Sequence, residues 1–221
     1  MNTGMFENEI VQDNLKILKK YGMQVVEPAT GYLACGDTGA GKMPEPEVLL
    51  QYILREIAYE KDLAGKRVLV TAGPTREAID PVRFITNHST GRMGYAIAKM
   101  AMLRGAAVTL VSGPVAIEPP MFVDTIAVES AQAMYEAVMA HAKEADIIIK
   151  SAAVADYAPA QVSPEKIKKS EGDASIPLTR TKDILAALGE KKREDQFICG
   201  FAMETEHLLE NATAKREKKN V

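Results

Sequence analysis

The sequence predicts an α/β fold, in which a doubly wound, mostly parallel sheet follows a short helical N-terminal appendage. Two observations carry this reading. From Arg67 onward, apolar runs of strand length alternate with segments of helical period, the rhythm of strands joined by crossover helices. The runs themselves, such as Val68-Leu69-Val70 and Ile147-Ile148-Ile149, are unbroken rather than alternating, as in strands covered on both faces. A Rossmann-like sheet is the architecture that joins the two.

The elements follow in order. A helix is expected near Asn8–Tyr21, a short strand at Gln24–Val26, a glycine-rich flap over Tyr32–Lys42 and a helix from about Pro46. Residues 1–59 bury little by themselves and read as the remnant of something larger. Residues 60–65 are a polar linker, and residues 66–221 form the main domain. Within it come strand Arg67–Thr71, helix Gly94–Arg104, strands Ala107–Ser112 and Asp124–Val128, helix Ala131–Lys143 and strand Ala145–Lys150. Gly105 ends its helix, while Gly113-Pro114 and Glu118-Pro119-Pro120 keep the next connection non-helical. A lysine-rich stretch at Pro164–Lys169, a helix near Asp183–Leu188, a strand at Gln196–Phe201 and a charged helix from about Glu206 complete the series. The chain stops where such a repeat would supply a further strand, so the domain reads as truncated at its C-terminus.

Composition excludes some functions. Of 221 residues, 47% are hydrophobic, ample for a core. Lys and Arg number 27 against 30 Asp and Glu, so no global basic field argues for nucleic acid. No apolar stretch is long enough to span a bilayer and no signal-peptide pattern opens the chain, which makes a cytoplasmic location the expectation. Cys35 and Cys199 lack the spacing of a redox or zinc pair; Cys199 reads as a small buried hydrophobe, and Cys35, in a glycine-dense segment, as an exposed thiol.

Ligands of open α/β sheets bind beyond the strands' carboxyl ends, and three segments there are unusually polar. Asn87-His88-Ser89-Thr90-Gly91 opens a helix with small, donor-rich residues, a pattern suited to an anion at a helix N-terminus. Its plainer reading is a cap, with Ser89 or Thr90 as N-cap and Gly91 as a turn residue. It is not the dinucleotide fingerprint, because Gly73-Pro74 interrupts the required glycine spacing and removes an N–H. The second segment, Ser151–Tyr157, offers Asp156 as an acceptor for a sugar, a cation partner or simply a cap. The third, Glu165–Ser170, would set Lys166 and Lys168 on one face of an extended segment, suited to a polyphosphate or equally to solvent. Lys215 and Lys219, near the chain end, carry the same two readings. Together these features suggest two phosphorylated ligands meeting over one sheet edge.

The stretches Val70–Thr75, Asp80-Pro81-Val82-Arg83, Asn87–Gly91, Ala152–Tyr157, Lys166–Lys169 and Gly200–Thr205 resemble bacterial phosphopantothenate–cysteine ligase, in order, from about Gly65 onward. The segment before them, including Met1–Met5 and Ala34–Asp37, resembles the last part of phosphopantothenoylcysteine decarboxylase, the flavin enzyme fused upstream of the ligase. The resemblance implies a two-step reaction. CTP activates the carboxylate of 4′-phosphopantothenate as an acyl-cytidylate, releasing pyrophosphate; the cysteine amine then attacks to give the amide and CMP. It also implies residue roles. Asn87 holds the acyl-cytidylate, with Ser89, Thr90 and Gly91 beside it on the phosphopantothenate side, and Lys166 serves the activated intermediate. Ala152, Asp156, Phe201, Lys215 and Lys219 contact CTP, as does the loop Lys182-Asp183-Ile184-Leu185, where Lys182 replaces a frequent proline. Asn2 and Cys35 correspond to substrate-contacting and reactive positions of the decarboxylase, whose FMN site lies mostly outside this sequence, so independent decarboxylation is not expected. Magnesium is implied on the phosphates, with no self-evident protein ligand cluster. A homodimer is implied as the assembly. The competing readings are an NAD(P)-linked oxidoreductase on a similar sheet and a non-catalytic assembly fragment.

Overall fold

A computed structural model describes residues 1–169, 174–202 and 208–221, with only the backbone of 208–212. Ser170, the Met203–Thr205 part of one motif and the helix start near Glu206 lie outside the described residues. The chain divides into two compact units, residues 1–59 and 60–221.

In the first unit, α1 spans Thr3–Phe6, α2 Glu9–Lys20, β1 Ala29–Tyr32, β2 Thr38–Lys42 and α3 Pro46–Ile57. Asn8 caps α2 by accepting from the Ile10 N–H at 3.0 Å, and Pro46 opens α3, where its missing N–H costs nothing. The strand expected at Gln24–Val26 is absent. A strand needs a partner, and the ladder forms instead within the glycine-rich segment, where β1 and β2 pair antiparallel. Leu33 N–H closes their turn on the Asp37 carbonyl at 2.8 Å. Neither α2 nor α3 holds a buried residue, and Leu50, Ile53 and Ile57 lie exposed.

In the second unit the strands are β3 Arg67–Ala72, β4 Arg76–Ala78, β5 Phe84–Thr86, β6 Ala107–Ser112, β7 Asp124–Ala127, β8 Ile147–Lys150, β9 Tyr157–Pro159, β10 Leu178–Arg180 and β11 Phe197–Gly200. The helices are α4 Arg92–Leu103, α5 Ala131–Ala142, α6 Ile184–Glu190 and α7 Leu208–Lys219. Five strands form one sheet in the order β11-β8-β3-β6-β7, every pair parallel. The chain moves outward from β3 to β6 and β7, then returns to β8 on the other side of β3. That reversal opens a crevice at the carboxyl ends of β3 and β8.

Alternation along β3 and β6 serves both faces. Leu69 and Val111 pack with Met134 and Val138 of α5, Ile184 and Leu188 of α6, Ile148 and Ile198 in one buried cluster. The opposite face receives α4, whose Gly94 comes so close to β3 that a Cβ there would stand 2.6 Å from the Ala72 Cβ and 2.9 Å from the Thr71 carbonyl oxygen. Two short antiparallel ladders, β4 with β5 and β9 with β10, were not expected from the sequence. Their strands are three residues long, too short to show a period.

Candidate functional site

The crevice between β3 and β8 is built by two buried hydroxyls. Thr71 and Thr75 interrupt an otherwise apolar stretch and are fully buried. Thr71 Oγ1 accepts from the Ala152 N–H at 3.1 Å and Thr75 Oγ1 from the Ala155 N–H at 3.0 Å, so the segment after β8 is pinned to β3 and its extension. A parallel bridge between Pro74 and Ala153 continues the contact. From the other side, the Asn87 amide nitrogen donates to the carbonyls of Ala153 at 3.3 Å and Val154 at 3.1 Å. The Asn87 loop and the Ala152–Asp156 segment are therefore neighbours at one rim.

Gly91, not Ser89 or Thr90, is the N-cap of α4, and no side chain caps that helix. Its φ of +74° lies in the left-handed region, and a Cβ there would stand 2.8 Å from Val115 Cγ1, so a side chain is doubly disfavoured. Ser89 Oγ accepts from the Gly91 N–H at 3.3 Å instead of reaching into the helix. The first-turn N–H groups of α4 thus have no side-chain acceptor, the arrangement that receives an anion.

Beyond Val154 lies a cavity of about 330 Å³ lined by Lys150, Asp156, Tyr157, Arg180, Lys182, Asp183 and Lys219 among others. Four cationic side chains face two carboxylates there, an excess of positive charge that suits a phosphorylated ligand. Asp183 caps α6 through the Ala186 N–H at 3.0 Å and pairs with Lys219 Nζ at 2.8 Å. Burial pushes its carboxyl up, but the Lys219 and Ala186 hydrogen bonds outweigh burial and hold it below the usual range. Lys182 Nζ lies 4.7 Å above the Tyr135 ring. Lys150 ends the apolar run Ile147–Ile149, and burial there pushes its ammonium below the usual lysine range, against the pull of Asp183 and Asp156. Among the described residues, no three His, Cys, Asp or Glu side chains converge as a metal site.

Residues 63–221 match the family described as DNA/pantothenate metabolism flavoprotein C-terminal domain. The chain belongs to that family. Residues 1–58 match a second family, described as Flavoprotein. The coenzyme A biosynthesis bifunctional protein CoaBC of Vibrio vulnificus strain YJ016 is 48% identical over 223 residues, covering all of this chain and 55% of its own length. The chain thus spans about half the length of the curated relatives it matches. A crystal structure of the C-terminal domain of a CoaBC protein is 54% identical, with a TM-score of 0.64 over 72% of this chain and 75% of that one. A Cab2 mutant in complex with phosphopantothenate-cysteine shares the fold, with a TM-score of 0.63 at 18% identity over 80% of this chain and 78% of that one.

For this family member, the cavity gathers Asp156, Lys182, Asp183, Ile184 and Lys219. Leu185 is half-buried, and Ala152 is buried with its N–H bonded to Thr71, outside the cavity lining. Lys215 is exposed on α7, one helical turn before Lys219. Phe201 is exposed just past β11, outside the cavity lining. Lys166 is exposed and also outside it. No strand runs through residues 161–169, so the face expected for Lys166 and Lys168 has no ladder to impose it. Cys199 is half-buried rather than buried, because β11 is an edge strand. In the first unit, the Asn2 side chain caps α1 by accepting from the Met5 N–H at 2.7 Å, and Cys35 is exposed, with Sγ 3.6 Å from Asp37 Oδ2. Lys150, Arg180, Thr71 and Thr75 were missed as site residues. A lysine closing an apolar strand and two threonines within and just after another were the available signals.

Proposed function

We propose that this chain carries a CTP-dependent phosphopantothenate–cysteine ligase site. The observation that carries the reading is Val154. Its carbonyl accepts from Asn87, while the same residue lines the cation-rich cavity, so the loop that leads into α4 and the cavity meet at one residue.

In this reading the cytidine sits in the cavity beside Asp156, with Lys150, Lys182, Asp183 and Lys219 around its ribose and phosphates. Phosphopantothenate approaches from the Asn87–Gly91 side, its carboxylate toward the α-phosphorus. The carboxylate oxygen bonds to that phosphorus and pyrophosphate leaves. The cysteine amine then forms the C–N bond, loses a proton, and CMP departs. The protein contributes placement and charge compensation, the terms that dominate such transfers. Asn87 orients the mixed anhydride, and Lys166 compensates its developing charge. Magnesium supplies charge neutralisation on the triphosphate. Asp156 and Asp183, which line the cavity, are the carboxylates that would hold it there.

Support comes also from the relatives, named for coenzyme A biosynthesis, and from the phosphopantothenate-cysteine bound to a protein of the same fold. The interrupted fingerprint at Gly73-Pro74 speaks against NAD(P). The exposed apolar faces of α2 and α3 favour a further role for residues 1–59, packing against the rest of a flavoprotein module in a bifunctional, homodimeric enzyme. Within that unit a cavity of about 450 Å³ beside Asn2 and Cys35 holds one lysine, Lys42, already paired with Glu45. That donor set does not fit a flavin phosphate.

The test is direct. Incubation with CTP, magnesium, 4′-phosphopantothenate and cysteine should release CMP and pyrophosphate in step with amide formation. NADH in place of CTP should not bind. Intact CTP after incubation with folded protein would sink the reading.

A further inference from the structure

The turn joining β4 to β5 contains a carboxylate with more hydrogen bonds than a turn requires. The Asp80 side chain is fully buried. Its Oδ1 accepts from the N–H groups of Val82 at 2.9 Å and Arg83 at 2.8 Å, which already closes the turn. Its Oδ2 accepts from the Arg83 guanidinium through Nε at 3.0 Å and through Nη2, and also from the Ile167 N–H at 3.1 Å. The same Nη2 donates to the Ile167 carbonyl at 2.8 Å. One ion pair therefore grips both main-chain polar groups of a residue 87 positions away in sequence.

Burying a carboxylate is costly unless it is paired and fully hydrogen-bonded, and a hairpin turn alone does not call for that expense. The surplus is directed at one place. Lys166 and Lys168 flank Ile167, and both are exposed on a segment with no regular structure. A second tie comes from the Ser163 N–H to the Ile79 carbonyl at 3.0 Å, on the same turn. From Arg83, β5 leads directly to Asn87, and Thr86 Oγ1 pins the end of that strand to the Thr75 carbonyl at 2.7 Å. The turn, the lysine segment and the Asn87 rim are thus one connected frame.

We propose that Asp80, together with Arg83, is a positioning residue that acts through the main chain of Ile167 to set the Lys166–Lys168 segment beside the Asn87 rim. This rests on the ligase reading, which gives Lys166 its work; the test below keeps the two separable. Lys166 touches the reacting groups in that reading, and Asp80 does not.

The test compares the wild type with Asp80→Asn and Arg83→Lys. Asp80→Asn keeps an acceptor for the turn but turns an amide N–H₂ toward Arg83 and the Ile167 N–H. Arg83→Lys keeps the charge but cannot reach Asp80 and the Ile167 carbonyl with two separate N–H groups. Limited trypsin digestion should cut after Lys166, Lys168 and Lys169 about tenfold faster in the variants, since cleavage follows the population of the opened segment. Cutting after Lys191 and Lys192 serves as the internal control and should not change. In steady-state assays kcat should fall by about a hundred-fold, the scale of a displaced catalytic group, with KM for CTP within about twofold because the cavity is untouched. Unchanged cleavage after Lys166 and Lys168 would overturn the proposal, and so would faster cleavage with undiminished kcat. Should Asp80→Asn not fold, Arg83→Lys decides, its side chain being half-exposed. A wild type that leaves CTP intact is a failure of the ligase reading alone, and the cleavage pattern then judges the positioning role by itself.

Discussion

The Asn87 amide nitrogen lies 3.1 Å from the carbonyl oxygen of Val154 and donates to it, joining the rim that opens α4 to the segment that follows β8. The contact fixes which way the carboxamide faces, because both Ala153 and Val154 present acceptors to the same nitrogen.

Asn87→Asp replaces that donor with a carboxylate facing two carbonyl oxygens. The side chain is exposed, so it can turn to solvent, and the fold should lose no more than about 1 kcal/mol in denaturant unfolding. Amide yield should fall by on the order of a hundred-fold, since a charge now opposes an anionic intermediate that needed a donor. An undiminished yield, with the crystal structure of the variant unchanged, would remove Asn87 from the mechanism.

Thr75→Val preserves shape in the interior and deletes the acceptor of the Ala155 N–H. An N–H left buried without a partner costs about 1–3 kcal/mol, read as a lower urea midpoint at constant m-value. Thr75→Ser should recover most of it, because the hydroxyl rather than the methyl carries the bond. Equal stability of the Val and Ser variants would show that the Ala155 N–H finds another acceptor.

These residues show what a one-dimensional reading can and cannot reach. The parallel sheet was legible because β3, β6 and β8 are mostly apolar rather than alternating, and α5 because a helical period runs on from Ala131. The Asn87 loop and Asp156 stood out as polar segments after strands, but a cap would explain either equally well in the sequence, and only the Asn87 bonds to Ala153 and Val154 show that the two segments are neighbours. Asp80 was visible only as part of a motif, since nothing local reveals that its fifth hydrogen bond comes from Ile167. Lys150 looked like a strand end; the cavity it lines is completed by Asp183, Ile184 and Lys219, which follow it in the chain. The β4–β5 and β9–β10 ladders were hidden for the same reason, their pairing being tertiary rather than periodic.

Acid should expose the Asp80 contribution. The Arg83 guanidinium, with the N–H groups of Val82 and Ile167, holds this carboxyl well below the usual carboxylate range, against its own desolvation. Its folded value lies below its unfolded one, so its stabilisation is fully present above about pH 4, the ordinary aspartate value, and is lost as pH falls toward the folded value. The stability difference between wild type and Asp80→Asn, followed by chemical unfolding from about pH 6 to about pH 3, should therefore shrink on acidification. A difference that stays constant across that range would mean that Asp80 is not the charged acceptor.

Lys150 carries a linkage of the same sign in a more alkaline window. Burial lowers its folded value beneath the unfolded one near 10.4, so the unfolded chain binds more protons between the two and this group's contribution to stability rises with pH through that window. In an NMR titration of the lysine side chains, Lys150 should lose its proton before the exposed lysines. An added polyanion should reverse the order, because negative charge in the cavity restores the preference for the ammonium that desolvation removed. CTP with magnesium is thus expected to raise the Lys150 value, whereas NADH is not. Lys150→Met should leave the fold within about 1 kcal/mol of wild type, since a buried charge is exchanged for an apolar chain of similar length. The same substitution should weaken CTP binding by about tenfold or more, the loss of one desolvated charge contact. Wild-type affinity for CTP in Lys150→Met would place the nucleotide somewhere other than this cavity.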